Sequence, residues 1–395
     1  MIPTLHGVRV LDASNVIAGP FCASLLGDFG AEVIKVEMPG VGDSARNLGP
    51  LADGKSLRWT NLGRNKKCVT LDLHSEKGKE LFLKLVEKSD VLVENFRTGT
   101  LDKWGLDIET LRKANPKIIV ARVTGFGQTG PMKYNSGFGS ACTAFSGVTY
   151  INGLPETPPV IIGFSLADYV SGLYAMIGVL LCLYGRDVNG TPSQEIDVSL
   201  YESLFRLLDT MIANYYITGT VQERAGDNVD GSIPSGVYKT KDDQWVVLVC
   251  ATDKSFEYFT KAAERPDLMK DYATMWQRQQ NITFLNKLAG DWVASLDCDD
   301  VIAACEREKL PCNKIYSIKD IFNDPHYAFR KDIVEIDDPN FGKIATPAVT
   351  PRLSETPGEI KWTGPLLGSS NEAVYKELLG LSGEEYQKLI DEKVI

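Results

Sequence analysis

Histidine is scarce in this chain: His6, His74 and His326 are the only three among 395 residues. A Ser-His-Asp or Cys-His arrangement, or a metal site built from several histidines, would need one of them at its centre. Each lies in a polar or turn-like stretch. The eight cysteines include no Cys-x-x-Cys pair, so reduced and mostly buried thiols are expected instead of a metal site or a disulfide framework. The chemistry is therefore expected to need neither a catalytic histidine nor a metal.

Basic clusters, long apolar runs and a secretory leader are missing as well. The net charge of −10, without a Lys/Arg cluster, argues against nucleic-acid binding. The longest apolar run, Tyr174 to Tyr184, is too short to cross a bilayer and predicts a buried core helix, so no membrane association is expected. No basic region precedes an apolar one at the N-terminus. No signal peptide is therefore predicted, and the expected location is cytoplasmic.

Strands and helices alternate through the first half of the chain, which predicts an α/β fold with a parallel, doubly wound sheet. The predicted strands are Val8–Leu11, Ala31–Val36, Cys68–Leu73, Asp90–Val93, Ile118–Val123 and Gln194–Leu200. The loop after the first strand ends in Gly19-Pro20 and lacks the three-glycine fingerprint, so NAD binding is not predicted. The helix that follows still offers its N-terminus to an anionic ligand.

The pattern changes near Val221, and the length of the chain also suggests two domains. One long helix is predicted over Tyr201–Thr218, then a polar stretch over Asp227–Gly236. Antiparallel strands at 237–240 and 245–250 and helices at 254–263, 281–294 and 299–309 predict a smaller α+β domain. From Asn323 the chain is rich in proline and predicted to be irregular, and it ends in helices at 371–379 and 382–393.

One carboxylate stands out in an apolar context. Asp168 opens the helical segment that runs to Tyr184 and has Ala167 and Tyr169 beside it. An unpaired buried carboxylate is costly and tends to take up a proton. Asp168 is therefore either a cap or first-turn acid, held by backbone N–H groups and the helix dipole, or a nucleophile in a dry cleft.

Short motifs spread along the chain carry a family resemblance. They are Ala18–Pro20, Gly30–Glu37, Arg64–Lys67, Val93–Phe96, Gly125–Gly127, Ala167–Gly172, Ile196–Glu202 and Pro365–Gly368. With these motifs in this order, the chain resembles the class III CoA-transferases, the family of formyl-CoA transferase and crotonobetainyl-CoA:carnitine CoA-transferase. That family also includes the α-methylacyl-CoA racemases. Asp168 stands where the family has its catalytic aspartate.

The resemblance implies a fold, an assembly and an activity. Residues 1–222 and 328–395 would form a large Rossmann-like CoA-binding domain, and residues 223–327 a smaller α+β domain. Two subunits would interlock as a homodimer. The activity would be transfer of coenzyme A from an acyl-CoA to a free carboxylic acid, through a mixed anhydride and an aspartyl-CoA thioester on Asp168. The CoA thioester would be a substrate, and no tightly bound cofactor is expected.

The resemblance also implies binding residues. The CoA contacts would be Asn15, Val16, Ala18, Leu71, His74, Asn95, Phe96, Arg97 and Lys103. Met38 replaces the arginine that formyl-CoA transferase has near the end of the second strand, so Arg46 is assigned to the nucleotide phosphates instead. The substrate pocket would include Tyr134, Phe138, Ser140, Tyr169 and Gly236, the last near the family's glycine loop. Roles without CoA binding stay open, since Phe96 fits a core position and Arg97 and Lys103 fit a solvated surface.

The same residues disfavour two alternatives to CoA transfer. In the racemase branch a histidine would align on Phe138 and the following aspartate on Gly139, so one of the two proton-transfer groups is missing. The glutamate of formyl-CoA transferase is replaced by Ser140, which disfavours oxalate-like acceptors and favours the carnitine-type or another organic-acid branch. A scaffold protein without chemistry is disfavoured because Asp168 and its apolar surroundings are retained.

Overall fold

The computed structural model describes residues 2–227 and 231–395, so residues 228–230 of the predicted polar stretch lie outside the described residues. The strands are β1 Arg9–Asp12, β2 Glu32–Glu37, β3 Leu51–Ala52, β4 Lys55–Ser56, β5 Lys66–Thr70, β6 Val91–Glu94, β7 Ile119–Thr124, β8 Glu195–Ser199, β9 Ser235–Lys239, β10 Trp245–Val249, β11 Cys312–Lys314, β12 Ile333–Asp338 and β13 Gly342–Pro347.

The α-helices are α1 Ala18–Asp28, α2 Leu57–Leu62, α3 Glu76–Glu87, α4 Thr100–Lys103, α5 Ile108–Ala114, α6 Gly139–Phe145, α7 Val148–Ile151, α8 Leu166–Asn189, α9 Leu200–Phe205, α10 Met211–Thr218, α11 Asp253–Ala262, α12 Met269–Tyr272, α13 Met275–Gln279, α14 Ile282–Ala294, α15 Cys298–Glu308, α16 Ile318–Asn323, α17 Pro325–Arg330 and α18 Gly383–Asp391. Short 3-10 helices lie at Ser44–Asn47 and Pro266–Leu268, and a π-helical segment at Ala373–Leu378.

Six parallel strands form the main sheet in the order β5-β2-β1-β6-β7-β8. Each predicted strand is present, with its ends shifted by one to three residues. Counted along the chain, the order is third, second, first, fourth, fifth, sixth. The direction of strand addition therefore reverses between β1 and β6, and the carboxyl ends of the strands at such a switch point form the usual ligand crevice of an open α/β sheet.

Contacts divide the described chain into two compact units. The first unit covers Met1–Thr149, Ile161–Val221 and Arg330–Ile395, and the second covers Tyr150–Val160 and Gln222–Phe329. The predicted domain boundaries lie close to the divisions at 221 and 329. Residues 150–160, which the sequence assigned to the large domain, group with the second unit instead.

In the first unit, apolar side chains cover both faces of the main sheet. Successive strand residues point to opposite faces, so Leu11 and Ile34 join one cluster while Val10 and Val33 join the other. Helices α3 and α5 and the C-terminal tail cover the first face, and α1, α8 and α9 cover the second. Strands buried on both faces explain the continuous apolar runs that signalled the sheet.

Helix α8 is longer than the segment predicted from its apolar run. Among the helices of the described residues it is the one long and apolar enough to cross a membrane, with a mean hydropathy of 1.8 over its most apolar window. Length and composition alone are weak evidence, because core helices of soluble proteins pass the same test. Ala175, Val179 and Cys182 are buried in the core cluster beside the sheet, as expected for a core helix.

Two predictions of local structure are wrong. The single helix predicted over Tyr201–Thr218 is broken between α9 and α10, where Asp209 has a left-handed backbone with φ 49°. The stretch predicted to be irregular after Asn323 contains α17 and the antiparallel pair β12–β13. Proline did not prevent this pair because Pro347 ends an edge strand, where a missing N–H is tolerated.

The second unit has its own sheet and core. The predicted antiparallel strands are present as β9 and β10, and β11 adds to the other side of β10 in the order β11-β10-β9. Helices α11, α14 and α15 pack on this sheet through Phe256, Leu285 and Val301, which are fully buried.

The free cysteines are consistent with the sequence, since all are buried except the half-buried Cys312.

Candidate active site

A cavity of about 250 Å³ lies at the carboxyl ends of β1, β6 and β7, on the side of the switch point. It is lined by Asn15, Val16, Ala18, Asn95, Phe96, Arg97, Thr98, Val123, Thr124, Gly125, Lys133, Asn135, Ser136, Gly137, Phe138, Asp168 and Leu200. The structure thus brings most of the predicted CoA contacts together with Asp168 in one cavity of the first unit.

The loop between β1 and α1 forms one wall of this cavity, and its backbone is tied down by polar side chains. Asn95 accepts from the Asn15 N–H at 2.7 Å and donates to the Asn15 carbonyl oxygen at 2.7 Å. Asp43 accepts from the Val16 N–H at 2.9 Å. Val16 has a left-handed backbone with φ 69°, which is strained for a β-branched residue and is held by these contacts.

A buried group of four charges lies directly beneath that loop. Lys66 Nζ is 2.7 Å from Asp12 Oδ2, and Lys35 Nζ is 3.0 Å from Asp43 Oδ2 and 3.7 Å from Asp12 Oδ1, with all four side chains fully buried. Burial alone would raise the pKa of Asp12, but Lys35 and Lys66 outweigh it, and the pKa lies below its ordinary value. Lys35 also donates to the Ser14 carbonyl oxygen. The wall of the cavity therefore rests on paired charges, which fixes its shape.

The loop after β6 forms the facing wall and has a similar support. The buried carboxylate of Glu94 accepts from the Phe96 N–H at 2.7 Å, and Arg122 Nε lies 3.6 Å from Glu94 Oε1. Burial raises the pKa of Glu94 to about 7, although Arg122 opposes the shift. Arg97, further along this loop, donates to the Ser136 hydroxyl and is exposed at the cavity.

A second, smaller cavity of about 120 Å³ shares Asn15 and Phe96 with the first. The predicted contacts Leu71 and His74 line it. The Trp104 ring makes edge-to-face contacts with His74, at 4.8 Å between ring centroids, and with Phe96, at 5.1 Å. His74 pairs with Asp72 at 2.9 Å. Phe96 is half-buried between the two cavities, so its position fits both a core contact and a binding contact.

Asp168 lies in the first turn of α8, where Ser165 is the N-cap residue, so Asp168 is a first-turn acid and not the cap itself. Burial raises the pKa of Asp168 to about 6 from an ordinary value of 3.8, although its own backbone N–H and the charge of Arg58 lower it. The side chain is half-buried and faces the cavity. Asp168 is therefore ionised at neutral pH but poorly solvated, as a carboxylate nucleophile should be.

Gly139, the first residue of α6, lies against the Asp168 carboxylate. A Cβ atom added at Gly139 would be 2.3 Å from Asp168 Oδ2, closer than non-bonded atoms can approach. The first N–H groups of α6 have no acceptor within the helix and are available to negative charge at this point. Glycine is therefore the residue that allows the carboxylate to reach the start of α6.

Substituting alanine for Gly139 is expected to reduce kcat by about 100-fold, because displacing a reacting group by about 1 Å has an effect of that order. The clash is with the end of a flexible side chain, so the free energy of unfolding should change by less than about 1 kcal/mol. Steady-state kinetics and urea denaturation measure the two effects. Gly137→Ala is not a suitable control because it would meet the backbone of Gly125, whereas Gly163→Ala meets no atom within 4 Å. Equal kinetics for Gly139→Ala and Gly163→Ala would contradict the expected role of Gly139.

The remaining predicted residues lie outside the two cavities. Arg46 makes a two-pronged ion pair with Glu37, at 2.6 and 2.7 Å, and its guanidinium stacks on Trp59 at 4.0 Å. Its assignment to phosphate binding stays a prediction, and these contacts favour a structural role. The others that line neither cavity are Lys103, Tyr134, Ser140, Tyr169 and Gly236, of which Lys103, Tyr134 and Ser140 are exposed. Gly236 is in β9 of the second unit, beside Asp227.

Some residues of the site were not predicted. Lys133 and Ser136 line the first cavity, in the loop between β7 and α6. Gly125 follows β7 and belongs to a motif that the sequence singled out, so the carboxyl end of that strand was a usable signal. Arg58 is near Asp168 through the fold alone, since 110 positions separate them and no pattern relates them.

The chain is similar to known proteins over nearly its whole length. A model of CoA-transferase family III matches residues 5–371. The alpha and beta subunits of succinyl-CoA–L-malate CoA-transferase from Chloroflexus aurantiacus are 42% and 44% identical to this chain. Each alignment covers 99% of this chain, with 92% of the alpha and 98% of the beta subunit. The crystal structure of a CaiB/BaiF family protein from Brucella suis has a TM-score of 0.84 at 30% identity, covering 96% of this chain and 100% of that one.

The chain therefore belongs to CoA-transferase family III. It is an enzyme that moves CoA between acyl-CoA thioesters and free acids, and the resemblance inferred from the motifs is confirmed.

Proposed function

We propose that this enzyme transfers CoA through covalent intermediates on Asp168. The observation that supports this most directly is the position of the Asp168 carboxylate. It lines the same cavity as the two loops matched to CoA binding, and no histidine is among the described residues of that lining. A carboxylate nucleophile needs no general base, because it attacks in its ionised form.

The proposed reaction has four steps. An Asp168 oxygen attacks the acyl-CoA carbonyl carbon, the C–S bond breaks, and a mixed anhydride and CoA thiolate form. The thiolate attacks Cγ of Asp168, which releases the donor acid and leaves an aspartyl-CoA thioester. The acceptor carboxylate then attacks that thioester, giving a second anhydride and thiolate. The thiolate attacks the acceptor's acyl carbon, which forms the new acyl-CoA and frees Asp168.

Each step passes through an oxyanion, and the site has backbone donors for it. The N–H groups of Gly139, Ser140 and Ala141 begin α6, beside the carboxylate, without an acceptor inside the helix. We propose that they stabilise the tetrahedral intermediates. Half-burial of Asp168 also limits the access of water, which would hydrolyse the anhydrides.

Binding of CoA is proposed along the two cavities of a Rossmann-like domain. Arg97 and Lys133 are the cations of the first cavity and suit phosphate groups, while Asn15, Val16, Ala18 and Asn95 supply its walls. The second cavity, with Leu71, His74 and Trp104, is apolar and aromatic enough for a flat base. Lys103 remains a proposed contact for the exposed end of CoA.

The relatives suggest the class of acid. Their names give succinyl-CoA as the donor and L-malate as the acceptor, and both are dicarboxylic. We propose a dicarboxylic acyl donor and a dicarboxylic acceptor for this chain too. Ser140 favours either the carnitine-type branch or another organic-acid branch, and a dicarboxylic acceptor belongs to the second of these.

Racemisation at the α-carbon is not favoured. Phe138, at the position of the racemase histidine, is 76% exposed and cannot transfer a proton. Gly139, at the position of the racemase aspartate, is in contact with Asp168 and leaves no space for a second carboxylate.

We propose that two subunits assemble, as a homodimer of interlocked chains. Helix α8 supports this, because Leu173, Ile177, Leu181, Tyr184 and Val188 form one stripe and are 41–68% exposed in the single chain. A stripe of this size is typical of a protein–protein interface. The relatives named as alpha and beta subunits make assembly with a second, similar chain the alternative.

The covalent mechanism can be tested by trapping. The enzyme is incubated with succinyl-CoA without acceptor, treated with hydroxylamine, digested and analysed by mass spectrometry. We expect an Asp168 hydroxamate, because hydroxylamine attacks both the anhydride and the thioester. A sample given free CoA and succinate is the control. An active enzyme in which Asp168 is never modified would show that transfer occurs without the proposed intermediate.

A further inference from the structure

Arg58 is a cation near the active site whose guanidinium contacts neutral oxygen atoms only. It lies in α2 and is half-buried. Its Nε and Nη2 atoms donate to the Gly49 carbonyl oxygen at 3.3 and 3.1 Å, and Nη1 is 3.5 Å from the Tyr169 hydroxyl. These contacts fix the position of the group without neutralising it.

No carboxylate of the described residues lies within 4.0 Å of the Arg58 guanidinium, which distinguishes it from most of the other buried or half-buried arginines in the described part of the chain. Arg46 pairs with Glu37, Arg64 with Asp28 and Arg278 with Asp253. Charges that are partly removed from water are normally paired. The missing partner of Arg58 points to an anion that binds from outside the chain.

Arg58 is near the reacting carboxylate but outside the cavity assigned to CoA. Tyr169, which it contacts, is the residue after Asp168, and the charge of Arg58 lowers the pKa of Asp168. Asp168 lines the first cavity, whereas Arg58 does not. Arg58 therefore lies near the nucleophile without belonging to the lining of the cavity assigned to CoA.

We propose that Arg58 binds the remote carboxylate of a dicarboxylic acyl group while its other end reacts at Asp168. This inference rests on the proposed function and names the residue that selects the class of acid. A guanidinium held in place by the Gly49 carbonyl oxygen can bind a carboxylate by donating two N–H hydrogen bonds to its oxygens. The two cations of the first cavity, Arg97 and Lys133, are proposed to bind the phosphate groups of CoA instead.

The test compares succinyl-CoA with butyryl-CoA, which has the same chain length but a methyl group in place of the remote carboxylate. We expect the wild-type enzyme to prefer succinyl-CoA in kcat/KM. In Arg58→Leu the ratio of the two kcat/KM values should fall by about 10- to 100-fold, the usual effect of one hydrogen bond to a charged group. Arg58→Lys should restore part of the preference through KM. Arg112→Leu, an exposed arginine of α5, should keep the wild-type ratio.

A binding experiment separates this inference from the covalent mechanism. Isothermal titration calorimetry measures the Kd of both thioesters on Asp168→Asn and on Asp168→Asn with Arg58→Leu or Arg58→Lys. A preference that depends on Arg58 supports the inference even if no Asp168 adduct is ever trapped. A wild type without preference, an unchanged ratio in the Arg58 variants, or an equal loss for both thioesters would show that Arg58 does not select the acid.

Discussion

Replacing Asp168 with asparagine is expected to abolish CoA transfer, with a fall in kcat of at least about 10⁴-fold, as when a covalent nucleophile is removed. Asparagine has the same shape and leaves Gly139 and the cavity undisturbed, but its amide does not attack a thioester. Asp168→Ala should behave in the same way. Transfer is measured by the appearance of the acceptor's CoA thioester.

Asp168→Asn should also have a higher free energy of unfolding than the wild type above pH 6. An acid whose pKa rises to about 6 on folding is destabilising when ionised, and no cost remains at low pH, where it is protonated in both states. The shift from 3.8 corresponds to at most about 3 kcal/mol in the free energy of unfolding at pH 8. The gain should shrink as the pH falls through 6 and vanish below 3.8, which urea denaturation at several pH values would measure.

Asp271→Asn is the matched control, since Asp271 is an exposed acid on α12. It should change neither kcat nor the pH dependence of stability. Wild-type turnover in Asp168→Asn would contradict its role as the nucleophile. If Asp168→Asn loses activity but is not more stable than the wild type, the Asp168 carboxylate is well solvated in the folded protein.

Replacing Lys66 with methionine is expected to lower the free energy of unfolding by about 3–5 kcal/mol, as when one partner of a buried ion pair is removed. Lys66 Nζ donates to Asp12 Oδ2 and to the Pro20 carbonyl oxygen, both at 2.7 Å, with no exposure to solvent. Without it, Asp12 keeps Lys35 at 3.7 Å as its remaining cation. The loss should become smaller at low pH, because Asp12 can then take up a proton.

The neighbouring residue provides the control. Lys67 points to the other side of β5, where it pairs with Glu32 at 2.6 Å, and its side chain is 40% exposed. An exposed pair of this kind contributes about 0–1 kcal/mol, so Lys67→Met should unfold nearly as the wild type does. Equal urea midpoints for Lys66→Met and Lys67→Met would contradict the structural role assigned to the buried charges.

The architecture of the main sheet could be predicted because its signals are local. Each strand is a short apolar run, and the six runs are found within three residues of their predicted ends. The break between α9 and α10 was missed because the sequence there continues to favour a helix, and Asp209 turns the backbone without glycine or proline. The β12–β13 pair was missed because pairing between strands depends on register, which the prolines obscured.

The site could be predicted only in part. Asp168 and the loops after β1 and β6 were found through motifs and through the rule that parallel strands bind ligands at their carboxyl ends. Arg46 is assigned to the nucleotide phosphates because Met38 replaces the arginine of formyl-CoA transferase. The sequence does not reveal that Glu37 and Trp59 contact the Arg46 guanidinium. No motif of the sequence singles out Arg58. The assignment of a long charged side chain depends on which partner it meets, and that partner can be anywhere in the chain.

By itself the sequence determined the class of fold, the carboxylate that the chemistry depends on and the family, because periodicity and motif order are properties of the chain alone. The tertiary structure decided what surrounds that carboxylate. It brings Gly139 against Asp168 and places paired charges under the β1 loop. It also leaves Arg58, near the nucleophile, without a carboxylate partner among the described residues. Burial and charge pairing arise from contacts between distant segments, and they set both the reactivity of Asp168 and the proposed choice of acid.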